Sequence, residues 1–176
     1  LDLQIGADGT NLKFIHYYMK DITPEFAGRA KGNVHFYGKF KALTMEGQVY
    51  GDASMKVDVL NTTFFVKDSI YIEPGGLTFK NNRISDMYGN QGTMNGYLHY
   101  THFKNLSYRF NFNVNNMLLM NTKESVDFPF YGTVYGTGNA SIAGNAAEGV
   151  NIDVAMTTNR NPNFTYIKDN VTTATS

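Results

Sequence analysis

Residues 105–116 read "NLSYRFNFNVNN". Leu106, Tyr108, Phe110, Phe112 and Val114 alternate with Ser107, Arg109, Asn111, Asn113 and Asn115. A repeat of two puts successive side chains on opposite faces of an extended chain, so this stretch is a strand with one apolar and one polar face. A slip of one residue in pairing would turn every apolar side chain outward, so the faces are strongly specified.

The same patterning runs outward in both directions. Candidate strands are 12–18, 31–40, 43–50, 54–60, 63–73, 76–80, 92–103, 129–135, 138–143, 149–157 and 164–168, besides 105–116 itself. Turn chemistry separates them at Asp8-Gly9, Pro74-Gly75-Gly76, Asn81-Asn82, Gly89-Asn90 and Ala147-Glu148-Gly149. No segment carries a sustained apolar stripe of period 3.6, although "NLKFIHYYMKDI" can be read as a short helical turn. Segments 28–47, 92–112 and 132–156 echo one another as strand, short turn, strand with apolar residues in phase. The expected fold is all-β, a long sheet of about ten to twelve strands, folded over as a taco-like trough with an open hydrophobic groove or as a β-sandwich. The chain reads as a single β-rich domain over 1–176, with 1–27 its N-terminal part and 169–176 a polar tail.

Composition narrows the function classes. Lys and Arg number 15, as do Asp and Glu, so the net charge is zero and no basic stripe awaits nucleic acid. There is no cysteine, which excludes disulfides and thiolate-metal sites. Asn is abundant at 20 residues, and the 25 aromatics are all Phe or Tyr. No apolar run is long enough for a membrane-spanning helix. The first residue is Leu1 and no signal peptide is present, so the chain is expected to be a fragment or processed product.

Motifs for chemistry are missing. His99 and His102 are three apart, which on a strand sends them to opposite faces. "GTGNAS" at 136–141 has Ser141 where a dinucleotide loop needs its third glycine, and no helical pattern follows. Neither G-x-S-x-G nor H-E-x-x-H occurs. The expectation is a protein that is not an enzyme and uses no cofactor or metal.

What remains is the apolar face. Two such faces could pack as a sandwich core, or one could line a trough for apolar ligands. An outer-membrane barrel is the third option, set against glycines that interrupt both faces and a polar C-terminus.

The stretches "GNVHFYGKFKALTMEGQVYG", "VLNTTFFVKDSIYIEPGGLTFKNN", "DMYGNQGTMNGYLHYTHFKNLSYRFNFNVNN" and "FYGTVYGTGNASIAG" together resemble the C-terminal domain of TamB, of the type found in Bacteroidetes. The resemblance covers about 28–158. It implies a member of the AsmA/TamB group of bridge-like proteins, which are built as a taco-shaped β-sheet with a hydrophobic interior. Such proteins are anchored in the inner membrane and cross the periplasm, with this domain nearest the outer membrane. The implied function is a translocation and assembly module that shields phospholipid acyl chains between the membranes and aids outer-membrane protein assembly. The implied partners are those acyl chains and an outer-membrane barrel of the TamA/BamA type. Groove-lining residues would be Val34, Phe36, Phe64, Val66, Ile70, Ile72, Leu98, Tyr100, Leu106, Tyr108, Phe110, Phe112, Val114, Ile142, Val150, Ile152, Val154 and Met156. Two other readings stand beside it. One is an interaction module that pairs by an edge strand, with an edge-strand dimer possible for the isolated chain. The other is a surface carbohydrate-binding domain.

Overall fold

The computed structural model describes residues 1–13, 25–39, 42–101, 104–124, 130–145, 149–158 and 163–166. These form β1 (Asp2–Asn11), β2 (Glu25–Lys39), β3 (Ala42–Val57), a 3-10 turn η1 (Asp58–Leu60), β4 (Thr62–Glu73), β5 (Gly76–Asp86), β6 (Gln91–Thr101), β7 (Lys104–Thr122), β8 (Phe130–Asn145), β9 (Gly149–Thr158) and β10 (Asn163–Tyr166). All pair antiparallel in one sheet that follows chain order from β1 to β8. Beyond β8, the strands β9 and β10 share its far edge, β9 along 136–145 and β10 along 130–133. The first and last strands do not meet, so the sheet is open.

The two-layer expectation is not met among the described strands. From β1 to β9 each strand pairs with its chain neighbours, β10 pairs with β8, and among the described residues no crossover carries a second sheet over the apolar face.

Strand limits differ from the sequence reading in an instructive way. β3 fuses the candidates 43–50 and 54–60, and β8 fuses 129–135 and 138–143. Gly51 and the glycines at 136 and 138 looked like breaks, yet they sit inside strands on the apolar face. β1 was missed, because Asp8-Gly9 is a bulge within a strand and not a turn. Of the candidate strand 12–18, residues 14–18 lie outside the described residues, as do His102 and the tail 169–176. Pro74-Gly75 does form the β4–β5 turn, with Gly75 at φ 84 as a type II turn requires.

Asparagine explains the irregularities. Asn61, Asn81, Asn105 and Asn116 all adopt the left-handed conformation, at φ between 46 and 51, which Asn tolerates better than other residues with a side chain. Asn81 and Asn116 stand where the register slips in β5 and β7. Polar side chains replace the lost ladder bonds. Asn95 Oδ1 accepts the Asn81 N–H at 2.8 Å, and Thr137 Oγ1 accepts the Asn116 N–H at 2.8 Å. Asp68 accepts the N–H groups of Ser69 and Arg83 where β4 and β5 slip, and these bonds hold its carboxyl below the usual carboxylate range.

A corner forms where β6 stops short. β7 runs on past Val114 to Thr122 with no strand on that side. η1 and the 86–90 turn fill the place. Asn61 Nδ2 donates to the Asn121 carbonyl (2.6 Å), and Thr62 Oγ1 donates to that of Leu118. Asp86, 2 % exposed, accepts the Leu118 N–H at 2.7 Å, the Tyr88 and Asn90 N–H groups, and the Asn90 side-chain amide at 2.7 Å. Burial alone would push this carboxyl up. The four N–H donors outweigh it and leave its pKa below the ordinary value.

Candidate functional site

Cross-strand register builds the apolar face row by row. One row reads Ile5, Val34, Gly47, Ile72, Leu77, Leu98, Tyr108, Gly144, Val150. The next reads Ala7, Gly32, Val49, Ile70, Phe79, Gly96, Phe110, Ile142, Ile152. A third reads Gly28, Ala53, Val66, Ile84, Gly92, Val114, Gly138, Met156. Phe36, Phe64, Tyr100, Leu106, Phe112 and Val154 share the phase of their strands, so all eighteen sequence-derived positions lie on one face. Nine strands at about 4.8 Å spacing make each full row about 38 Å long.

Every row contains glycine. Within strands, glycines 28, 32, 38, 47, 51, 92, 96, 132, 136, 138 and 144 stand on the apolar face, while Gly6, opposite Asn33, and Gly76, opposite His99, stand on the polar one. Their role is clearest at Gly96, between Phe79 and Phe110. A Cβ there would strike the Arg109 carbonyl and lie 2.6 Å from a Phe110 ring carbon. Without it the two rings meet edge to face over the glycine, centroids 5.4 Å apart. Tyr108 and Phe112 extend the aromatic line to 6.0 and 6.5 Å on either side of Phe110. Bulky side chains leaning over glycines give a nearly continuous apolar carpet one residue thick.

That carpet is packed in the middle and open at the ends. Ile84, Met94, Val114 and Met117 form a buried cluster, with Phe64, Val66, Phe79, Phe110, Phe112, Leu119 and Met156 against it. Toward the edges the same face is bare: Leu3 is 45 % exposed, Ile5 44 %, Leu106 41 %, Ile152 63 % and Val154 64 %. Ile84, Met94, Met117, Leu77 and Phe79 belong to the face but were not singled out from sequence. Bulges at Asn81 and Asn116 shift the phase, so Phe79 and Ile84 share a face five residues apart.

The opposite face is polar and self-bonded. Asn95 and Asn81 pair, Asn113 donates to Asn139, and Ser141 meets Asp153. His99 stacks on Tyr97 with centroids 4.3 Å apart, and Lys80 sits 4.6 Å over the Tyr71 ring. On the β1 side, His35 Nε2 lies 2.7 Å from Asp2 and Nδ1 3.3 Å from Glu46, which also accepts the Tyr37 hydroxyl. The Asp2 hydrogen bond, then that to Glu46, raise the His35 pKa. Residues 136–141 run straight through β8 as strand. Among the described residues, no group of three His, Asp or Glu could hold a metal ion, and no helix is long and apolar enough to cross a membrane.

Comparison of the chain with protein-family models, with curated proteins and with solved structures finds no match.

Proposed function

We propose that the apolar face is a floor on which lipid acyl chains lie, and that the chain is the outer-membrane-proximal segment of an envelope lipid conduit of the TamB kind. The observation that carries this reading is an open sheet whose apolar face stays exposed at both edges, with no second layer over it among the described strands. A soluble protein rarely leaves so wide an apolar surface without an occupant. A row of about 38 Å exceeds one leaflet's hydrocarbon depth, about 15 Å. Exposing a chain of about 15 methylenes to water costs on the order of 12 kcal/mol. A floor one layer thick covers one side of the chain, so it offsets on the order of half of that. The face offers aliphatic and aromatic contacts and few hydrogen-bond groups, so it selects for apolar chains and not for one head group. The Asn-rich face then meets periplasmic water, and an outer-membrane barrel of the TamA/BamA type is the partner that receives the lipid or is assembled with its help.

The test is photo-cross-linking of the whole protein in cells. A photoreactive residue replaces Leu106, which is exposed on the apolar face, or its neighbour Ser107 on the polar one. Phospholipid adducts at 106 and not at 107 are expected. Equal labelling at both positions, or none at either in abundant folded protein, overturns the reading.

A further inference from the structure

Among the described residues β9 has β8 on one side and no strand on the other. The Ala155 carbonyl points back at β8, against Gly138. Backbone groups alternate along an antiparallel strand, so the N–H and C=O of Ile152, Val154 and Met156 point out from the sheet. None of the usual edge protections is present: residues 149–158 contain no proline, no lysine, no bulge against β8 and no charge on the apolar face.

We propose that this edge pairs with the β9 edge of a second copy of the chain, antiparallel and centred on Val154. The register follows from the side chains. With Val154 opposite its own mate, Ile152 faces Met156 on the apolar side, while Asp153 faces Ala155 and Asn151 faces Thr157 on the polar side. Shifting the centre to residue 153 would oppose two aspartates, and shifting it to 155 shortens the overlap. The chosen register uses nearly all of β9 and makes about ten inter-strand hydrogen bonds. It covers Ile152 and Val154, the two most exposed large apolar residues within the strands. The two-fold axis stands normal to the sheet, so both apolar faces stay on the same side and join into one floor.

The other edge does not favour a copy of itself. The bulge at Gly9 confines regular pairing of β1 to residues 2–8, and the register that uses all of them sets Asp2 opposite Asp8 of the mate. The pairing through β9 does not depend on what the apolar face carries.

The chain has no cysteine, which makes the test direct. Across a hydrogen-bonded pair the Cα atoms stand about 5.5 Å apart, within disulfide range. Under mild oxidation Val154→Cys forms a covalent dimer. Ile152→Cys does not, because its own mate lies about four residues away, roughly 13 Å. In sedimentation velocity the unmodified chain shows a concentration-dependent dimer, which Val154→Lys abolishes while the far-ultraviolet circular dichroism stays unchanged. A monomer at all concentrations overturns the proposal. So does cross-linking through Ile152→Cys as readily as through Val154→Cys, or a dimer that survives Val154→Lys.

Discussion

Asp86 shows how one side chain holds the corner where β6 ends. In Asp86→Asn the shape is kept, but one carboxylate oxygen becomes an NH₂ group that cannot accept a bond. If that group takes the Oδ2 place, the Leu118 N–H and the Asn90 amide both lose their acceptor. If it takes the Oδ1 place, the Tyr88 and Asn90 N–H groups do. Either way two donors around a residue only 2 % exposed are left facing a donor. Each unmet buried donor costs about 1–3 kcal/mol, so the substitution should destabilise by roughly 2–5 kcal/mol after local relaxation. Urea unfolding followed by tyrosine fluorescence would show a lower midpoint with an unchanged slope. There is also a pH signature. The folded pKa is depressed, so the contribution is present above the unfolded value, about 3.9, and is lost as pH falls through the folded one. The gap between the original chain and Asp86→Asn should therefore narrow on acidification. A loss below about 0.5 kcal/mol at neutral pH, or a gap that does not change with pH, would refute the account of the corner.

Other outcomes follow from the same geometry. Gly96→Ala should cost about 1–3 kcal/mol, because the new methyl must displace the Arg109 carbonyl or the Phe110 ring; loss of ring-current shifts between Phe79 and Phe110 would report it by NMR. Asn81→Ala should cost about 1–2 kcal/mol for placing an ordinary side chain at φ 50, whereas Asn81→Gly should recover most of that. His35 has a raised pKa, so its bonds to Asp2 and Glu46 stabilise the β1–β2 edge fully below the unfolded value, about 6.5, and that support fades as pH rises through the folded pKa. Amide exchange in β1, corrected for intrinsic rates, should accelerate from pH 6 to pH 8 in the original chain and show no such step in His35→Gln.

The face around Phe110 was legible because β7 keeps strict alternation from 106 to 114 and its partners are regular there. Legibility ended where the backbone departs from alternation. A bulge at Asn81 joins Phe79 and Ile84 on one face, and no periodicity rule anticipates that from the letters "FKNNRI". Glycine misled in a similar way. At Gly51 and Gly136 it marks a place where a neighbouring side chain leans across the strand, but alone it has the signature of a turn. Asp86 carried no signal at all, since its four donors come from residues 88, 90 and 118, brought together only by the corner. Abundant Asn suits the solvated polar face of the strands. Four of these residues also supply left-handed backbone, Asn81, Asn105 and Asn116 where the sheet changes register and Asn61 at the end of η1.

The meander order, in which strands pair with their neighbours in the chain, makes the molecule close to one-dimensional. Stability in such an array adds up from nearest-neighbour terms, and contacts of short sequence separation favour quick, sequential zipping. Fraying should begin at the two outermost strands and stop at the Met94–Val114 cluster, the middle of the array. Length is also modular. Because no closing pair ties the first strand to the last, one hairpin more or less changes the reach by about 9.6 Å and leaves the pairing of the others intact. A protein built this way can change its length by duplicating or deleting hairpins.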